Sequence, residues 1–451
     1  MKARESFGSR FAVIAAMAGS AVGLGNIWRF PYVLGENGGA AFILVYVAAT
    51  LLVALPIFYA ESIIGRHART DTYGAMKKLA PGTSWRWAGL LTVVSPLLIL
   101  SYYSVVGGWS VQYLFKSLSF SFTDAPASEV LGFFGKFISS AWQPLLSHTI
   151  FMALVTAIVL GGVKKGIEKF SKVAMPVLFV LILVILVYSL TLPGARKGVE
   201  YLLKPDFSRL TADAVADALG QAFFSLSLGV GTILTYASYV KKEENLMVSG
   251  LGTAISDLAF ALIAAFAVMP AVFAAGIQPG AGPGLVFETL PYIFNRMGAG
   301  MPVTSTIISV VFFITILAAA LTSAISMLEV GVTFLADEKG MPRRRATLLL
   351  AFLCWALGAV CSLSFGPLSD IKFLGLSFFD FLDKLCSSLF MPLGGLIFTL
   401  FVGWKMSKVR VRKEFTNGGT VNRRVFGAVY FLVRYVAPVG IVLVCVTSLL
   451  G

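Results

Sequence analysis

A glycine-rich interruption of an apolar segment is the part of this sequence best suited to bind a ligand. Residues 19–32 are Gly-Ser-Ala-Val-Gly-Leu-Gly-Asn-Ile-Trp-Arg-Phe-Pro-Tyr. Each glycine weakens a helix by roughly 1 kcal/mol relative to alanine, and irregular backbone at membrane depth occurs only inside protein or beside a polar cavity. The N–H groups freed at such a break, at the positive end of a half-helix, suit a carboxylate. A binding site within the membrane is therefore expected between Gly19 and Arg29.

A second break occurs further along the chain. Gly229-Val230-Gly231-Thr232 lies midway along a later apolar segment, much as Gly23-Leu24-Gly25-Asn26 lies within the first. Paired interruptions of this kind indicate a transporter built from an inverted repeat, with its site where the two halves meet. Close helix packing through small residues is the alternative explanation, but the polar residue after each break favours a site.

The composition predicts a helical membrane protein with many spans. The chain has 451 residues, 57% of them hydrophobic and 13% charged, and its mean hydropathy is +0.86. About eleven apolar segments have the length needed to cross a bilayer. They are residues 10–35, 39–65, 88–117, 145–161, 172–192, 214–239, 248–276, 303–335, 345–362, 376–404 and 425–450. The prediction is one transmembrane domain, 1–451, with repeats over 10–192 and 214–404 and an extra helix over 425–450.

The net charge of +14 is better explained by membrane topology than by nucleic-acid binding. Lysine and arginine cluster in alternate loops, such as 66–78, 164–172 and 405–424, as is typical of cytoplasmic loops. The N-terminus is therefore expected in the cytoplasm and the chain in the cell's inner (plasma) membrane. The expected partners are the lipid bilayer and a small substrate, and the sequence leaves open whether the chain forms a homo-oligomer.

Several segments resemble the neurotransmitter:sodium symporter family, whose bacterial members have the LeuT fold. The resemblance extends over nearly the whole chain and implies an all-α integral membrane protein. It further implies a 5+5 inverted repeat, about 11 transmembrane helices, and helices 1 and 6 broken at the membrane midplane. The matching segments are residues 19–32 with Glu36-Asn37-Gly38-Gly39, Gly220-Gln221-Ala222-Phe223-Phe224-Ser225-Leu226-Ser227-Leu228-Gly229, Thr235-Tyr236-Ala237-Ser238-Tyr239-Val240, and Ala319-Ala320-Leu321-Thr322-Ser323.

The resemblance implies where an amino acid would bind. Its carboxylate and amine would lie on the backbone of the first break, with a hydrogen bond from the Tyr103 hydroxyl. Phe224 would cover the site from outside, and Ile99, Val230 and Met327 would line the side-chain subsite. The full set of implied substrate-binding residues is Ala21, Gly23, Leu24, Gly25, Ile99, Tyr103, Phe224, Ser225, Ser227, Val230, Ser323, Ser326 and Met327.

The same resemblance implies two sodium sites. Sodium takes hard oxygen ligands, and broken helices expose carbonyl groups that can supply them. The first site would comprise Ala21, Asn26, Ser225 and Asp257. The second would comprise Gly19, Val22, Ala319, Thr322 and Ser323. The hydroxyls of this second site would, taken alone, be ordinary groups bonded to their own helix.

Asp257 departs from the family pattern, because many members have asparagine there. A carboxylate within the membrane is costly and is a functional candidate by default. Chloride-dependent relatives use an anion near this point, whereas chloride-independent ones supply an acidic side chain, often one turn on, where this chain has Ala261. Asp257 is therefore expected to ligate sodium, to replace chloride, and to be a candidate proton carrier. Glu61, in the second span, is given a structural role by the resemblance.

Charged residues on either side of the site are candidate gates. Exposed ion pairs contribute only about 0–1 kcal/mol, which suits contacts that open and close in each cycle. The alternative explanation is that the arginines only set the orientation of the chain in the membrane and that the carboxylates are simply solvated. The predicted gates are Arg29 with Asp383 (or Asp380) outside, and Arg4 with Asp337, beside Phe7 and Tyr239, on the cytoplasmic side.

The expected function is sodium-coupled, chloride-independent import of a hydrophobic amino acid, large or aromatic, by alternating access. A leucine-binding member of the family has phenylalanine where this chain has Val230, so the side-chain subsite is expected to be larger here. The flexible side chain of Met327 can repack around the substrate. A proton-coupled transporter or a non-transporting sensor of the same fold is the alternative. A membrane enzyme would need His, Cys or acidic groups clustered at one depth, and a channel would not explain two breaks at one closed site.

Overall fold

The computed structural model describes residues 5–276, 286–298 and 301–450. Over these residues the chain is built from helices, apart from one isolated bridge between Phe373 and Leu376. Arg4, one of the predicted gate residues, lies outside the described residues.

The predicted spans are present, and the all-α fold with two broken helices is confirmed. Among the described residues, nine helices are long and apolar enough to cross a membrane, and a bent pair of helices adds a tenth. The eleventh is a second broken pair, whose helices have 14 and 6 residues. Spans 1 to 11 are Arg10–Ala21 with Gly25–Glu36, Ala40–Ala68, Trp85–Leu118, Trp142–Leu160, Val163–Leu190, Ala212–Ser225 with Thr232–Ala237, Leu246–Ala274, Pro302–Lys339, Arg343–Leu363, Phe378–Lys405 and Phe426–Thr447.

The largest difference between predicted and observed bounds is at the start of span 5. Hydropathy places it at residue 172, but the helix begins at Val163. A π-helical turn, Val163–Glu168, extends the helix beyond its apolar part and contains Lys164 and Lys165. Charged residues in that turn made it resemble a loop in the sequence.

Capping side chains fix where several spans begin. Ser9 accepts a hydrogen bond from the Ala12 amide at the start of span 1, and Thr211 and Asn245 do the same for spans 6 and 7. Each such cap typically contributes about 1 kcal/mol. These caps set the register of the helices that carry the two breaks and Asp257.

Spans 1 and 6 are broken close to the predicted points. The helix of span 1 ends at Ala21, not at Gly19, and resumes at Gly25 with a bend of 52°. In span 6, residues 226–231 separate the two helices. There Ser227, Gly229 and Gly231 have φ of 53°, 78° and 70°, a region that glycine adopts without strain.

The broken spans lie inside the molecule. Span 1 packs against spans 5, 7 and 8, and the second half of span 6 packs against spans 2 and 8. Spans 5, 9 and 11 instead expose large apolar side chains, including Val180, Phe352 and Val439. An outer surface of this kind suits lipid, so the tertiary structure encloses the breaks in protein, as irregular backbone at membrane depth requires.

Candidate substrate and sodium sites

A small cavity lies between the two breaks. Eleven of the thirteen predicted substrate residues line it, and Ser225 and Ser326 do not. The Ser225 hydroxyl is directed to Asp257, and the Ser326 hydroxyl accepts from Ser20 at 2.8 Å. The lining residues are Ala21, Gly23, Leu24, Gly25, Ile99, Tyr103, Phe224, Ser227, Val230, Ser323, Met327 and Met391. Met391, on span 10, was not predicted, because no spacing or motif in the sequence links that span to the cavity.

The first break is held by neutral side chains. The Gly23 amide donates to Asn26 Oδ1 at 3.0 Å, and the Leu24 amide donates to the Tyr103 hydroxyl at 3.3 Å. A Cβ atom at Gly23 would lie 2.4 Å from Ser323 Oγ, so glycine is required there for close approach. Because a carboxylate is a stronger acceptor than an amide or phenol, a substrate carboxylate can replace these bonds.

The second break is held by a buried carboxylate. Glu61 of span 2 accepts from the Gly229 amide at 2.7 Å and from the Leu234 amide at 3.4 Å. A negative charge is favourable at the N-terminal end of the helix Thr232–Ala237. Ser227 Oγ donates to the Ser20 carbonyl at 2.7 Å, which joins the two breaks directly. These bonds give the structural role of Glu61 a geometric basis.

Asp257 lies fully buried among the side chains of the first predicted sodium site. Asn26 Nδ2 donates to Asp257 Oδ1 at 2.7 Å, and Ser225 Oγ lies 2.8 Å from both carboxylate oxygens. The Tyr46 hydroxyl is 3.4 Å away. Within the described residues no lysine or arginine nitrogen comes within 4 Å of this carboxylate. An unpaired buried carboxylate is unfavourable, so a bound cation would stabilise it. Ala21, the fourth predicted ligand, ends the first helix of span 1.

The residues of the second predicted sodium site also converge. Thr322 Oγ1 donates to the Ala319 carbonyl at 2.8 Å and to the Val22 carbonyl at 3.2 Å. Gly19 packs against Thr322, since a Cβ atom at Gly19 would lie 3.4 Å from the Thr322 Cβ. Ser323 Oγ instead donates to the Ser20 carbonyl at 3.2 Å. One hydroxyl and two carbonyls therefore meet here, and these are hard oxygen ligands of the kind that sodium takes.

On the side of Arg29, a larger cavity adjoins the substrate cavity and shares Leu24, Tyr103 and Phe224 with it. Arg29 and Asp383 both line this outer cavity. Arg29 donates to Gln221 Oε1 at 3.2 Å and lies over the Phe224 ring at 5.0 Å. Its predicted ion pair with Asp383 is not formed in the part of the chain that the structure describes. Asp380, the second choice, accepts from Ser377 at 2.6 Å.

The N-terminal face, where Phe7 lies, is closed. The Phe7 amide donates to the Tyr239 carbonyl at 3.1 Å, and the two rings pack edge to face. The Tyr239 hydroxyl donates to Glu329 at 2.7 Å, and Arg343 donates to both oxygens of Glu329. Sequence reasoning missed Glu329. The signal was present, because a carboxylate inside an apolar span is a functional candidate by default.

Asp337, the predicted partner of Arg4, lies at the same face. Its Oδ2 atom accepts from the Asp71 amide at 3.0 Å and from Thr70 Oγ1 at 3.3 Å. The pKa of Asp71 is raised to about 6, chiefly by burial of its carboxylate. The negative charges of Asp337 and Glu338 also raise this pKa, and the hydrogen bond from the Gly74 amide offsets only part of the rise. Asp337 therefore belongs to an acidic group that ties the loop after span 2 to the end of span 8.

Two broken helices that meet at a buried cavity, with oxygen clusters beside it, define the class of membrane transporters with broken helices. The sequence pattern of the Sodium:neurotransmitter symporter family matches residues 4–130 and 134–451. The chain therefore belongs to the sodium:neurotransmitter symporter family. It is a sodium-dependent symporter of this family, embedded in the membrane by many spans, and the family is one of transporters rather than enzymes.

Similar proteins agree with this assignment. The chain is 39% identical to the uncharacterized sodium-dependent transporter YhdH of Bacillus subtilis. This similarity extends over 436 residues and covers 97% of this chain and 96% of YhdH. It is 33% identical to an uncharacterized sodium-dependent transporter of Haemophilus influenzae, with 99% of both chains covered. A crystal structure of MhsT in complex with L-phenylalanine matches with a TM-score of 0.90 and 43% identity, covering 99% of this chain and all of that one. The predicted LeuT fold is confirmed.

Proposed function

We propose that this symporter takes up a hydrophobic amino acid, large or aromatic, with two sodium ions and without chloride. The composition of the cavity wall carries this proposal, because none of its twelve lining side chains is charged. Backbone groups of the first break would meet the carboxylate and amine, and Ile99, Val230 and Met327 would meet the side chain. The L-phenylalanine bound by MhsT, which is 43% identical to this chain, supports an aromatic substrate.

Two sodium ions would use the two oxygen clusters. One would bind at Ala21, Asn26, Ser225 and Asp257, close to the substrate carboxylate, and would replace the hydrogen bond from the Asn26 amide to Asp257. The other would bind between Gly19, Val22 and Ala319 carbonyls and the hydroxyls of span 8. Both clusters join span 1 to another span, so a bound ion would favour the packed arrangement around the substrate.

Asp257 would supply the negative charge that chloride provides in other members. Its burial without a basic partner supports this role, since one sodium and one carboxylate together are neutral. The same residue is our candidate for a proton carrier on the return step.

Import also requires an orientation and gates. The basic loops support a cytoplasmic N-terminal face in the plasma membrane. The closed packing of Phe7 and Tyr239, and the cavity on the side of Arg29, support entry from the opposite side. We propose that Arg29 and Asp383 close the outer cavity and that Arg4 and Asp337 close the inner path. We also propose that residues 10–192 and 214–404 form the two inverted repeats.

Uptake into proteoliposomes tests this proposal. Labelled phenylalanine, tryptophan and leucine, with glutamate and lysine as charged controls, are offered with an inward sodium gradient and then with sodium replaced by choline. We expect accumulation of the hydrophobic amino acids only with sodium. Accumulation driven by a proton gradient alone would favour the proton-coupled alternative. Binding without accumulation under any gradient would favour the sensor.

Replacing chloride by gluconate in the same assay tests Asp257. We expect unchanged uptake by the wild type and chloride-dependent uptake by the Asp257→Asn variant. Asp213→Asn, at the exposed start of span 6, is the matched control and should stay independent of chloride. Wild-type uptake that requires external chloride would overturn the proposed role of Asp257.

A further inference from the structure

The connection between spans 10 and 11, residues 405–424, is strongly basic, and we name it the basic segment. Its only acidic residue, Glu414, is buried. None of its cations has a carboxylate oxygen within 4 Å in the described part of the chain. The exposed cations are Lys405, Lys408, Arg410, Arg412, Lys413, Arg423 and Arg424. Uncompensated positive charge of this density requires an anionic partner or many counter-ions.

The basic segment is folded so that these cations face outward. Within its helix Lys408–Phe415, the side chains of Val411, Glu414 and Phe415 are buried. Glu414 Oε1 accepts from Arg66 Nε at 2.7 Å, and Oε2 lies 3.1 Å from His67 Nδ1. Burial raises the pKa of Glu414, but His67 and Arg66 outweigh it and lower the pKa to about 2. The Glu414 carboxylate is therefore ionised, and the buried side of the segment supplies its partners, Arg66 and His67. It does not compensate the positive charges that face outward.

The same segment lies at the edge of the predicted bilayer. It begins at the last residue of span 10 and ends just before span 11. Trp404, beside Lys405, is 57% exposed and donates to the Arg434 carbonyl at 3.2 Å, and tryptophan is enriched at membrane interfaces. Val409, on the basic helix, is 78% exposed. An apolar side chain among cations at this depth suits contact with headgroups and the acyl chains beneath them.

We propose that the basic segment is a binding surface for the phosphate headgroups of anionic membrane lipids at the N-terminal face. Charge complementarity and position at the bilayer edge both favour lipid over a soluble anion. The segment also connects to the broken spans, because Arg66 donates to the Glu244 carbonyl at 2.5 Å and Glu244 pairs with Arg10 at 3.3 Å.

A binding assay on the purified, detergent-solubilised protein tests the surface. Dioctanoylphosphatidylglycerol and dioctanoylphosphatidylcholine are titrated separately, and binding is followed by microscale thermophoresis and by the thermal unfolding midpoint. We expect phosphatidylglycerol to bind at least tenfold more tightly than phosphatidylcholine. Raising choline chloride from 50 to 500 mM should weaken phosphatidylglycerol binding at least fivefold. Equal binding of the two lipids would overturn the proposal, and inorganic phosphate that competes fully at millimolar concentration would replace the lipid by a soluble anion.

Charge removal locates the surface. The variant Lys408→Gln, Arg410→Gln, Arg412→Gln and Lys413→Gln should bind phosphatidylglycerol at least fivefold more weakly. The matched control Arg196→Gln, Lys197→Gln, Lys204→Gln and Arg209→Gln removes four exposed cations between spans 5 and 6 and should stay within twofold of the wild type. Equal losses in both variants would overturn the assignment. If the first variant does not fold, the two double variants Lys408→Gln with Arg410→Gln and Arg412→Gln with Lys413→Gln are each expected to lose at least twofold.

Discussion

The two breaks meet at one cavity, yet their polar groups are satisfied in different ways. In span 1, the neutral side chains of Asn26 and Tyr103 accept the free amides. In span 6, the buried carboxylate of Glu61 accepts the Gly229 amide. Hydrogen bonds to charged groups are roughly twice as strong as those between neutral groups. The first break is therefore held by bonds that a ligand can exchange, whereas the second is held by bonds that no neutral group replaces equally well.

The glycines of the two breaks differ as well. Gly23 is required because a Cβ atom there would lie 2.4 Å from Ser323 Oγ and 3.1 Å from the Tyr103 hydroxyl oxygen. Gly229 is required because its φ is 78° and because a Cβ atom there would lie 2.0 Å from the Met391 carbonyl oxygen. A side chain at Gly23 would extend into the binding cavity, whereas a side chain at Gly229 would collide with span 10. Two similar glycine motifs therefore predict different consequences when they are changed.

Gly229→Ala should have the largest effect. The left-handed conformation and the collision with span 10 together should lower the free energy of unfolding by roughly 4 kcal/mol. The measurement is the thermal unfolding midpoint in detergent, together with the yield of monodisperse protein. Gly220→Ala, on the helical part of span 6 where the nearest outside atom is 4.0 Å away, should lose nothing. A Gly229→Ala variant as stable as the wild type would contradict the assigned constraint.

Glu61→Gln should come next. Glutamine offers one accepting oxygen in place of two and removes the charge at the start of the helix Thr232–Ala237, so the loss should be about 1–3 kcal/mol. Sodium-driven uptake should fall at least tenfold. Glu36→Gln, at the exposed end of span 1, controls for removal of a carboxylate. Equal uptake by the Glu61→Gln and Glu36→Gln variants would mean that the second break does not depend on its carboxylate.

Gly23→Ala should change stability less but binding more. The added methyl group meets a serine hydroxyl that can turn away, so we expect a loss of roughly 1 kcal/mol or less. Because the methyl group also enters the cavity, substrate affinity measured by scintillation proximity should fall at least tenfold. Gly132→Ala, with no atom within 4 Å, should leave affinity unchanged. A large loss of stability with normal affinity would reverse the roles that we assign to the two breaks.

Tyr103→Phe should have a similarly small effect on stability. It leaves one neutral amide without its partner, at a cost of about 1 kcal/mol, and substrate affinity should fall roughly tenfold. Tyr113→Phe removes a bond to the Phe287 carbonyl away from the cavity, and it should affect stability alone. If Tyr103→Phe destabilises the protein as much as Glu61→Gln, the distinction between exchangeable and permanent bonds fails.

Much of the fold was present in the sequence because its signals are local. Apolar runs of membrane length located the spans, and glycines located both breaks, since each depends on a few neighbouring residues. The resemblance of residues 19–32, 220–229 and other segments to a known family also predicted eleven of the twelve residues that line the cavity. The start of span 5 was wrong for a local reason, because Lys164 and Lys165 lie in a π-helical turn and not in a loop.

The sequence alone determined that this chain has eleven spans, that two are broken, and that polar residues follow the breaks. Only the tertiary structure decided which partners those polar residues take. It directs Ser225 to Asp257 and Arg29 to Gln221, and it brings Met391 of span 10 to the cavity. Contacts between residues far apart in the chain depend on how closely the helices pack, to within a few ångströms. Neither hydropathy nor the spacing of residues in the sequence determines those distances.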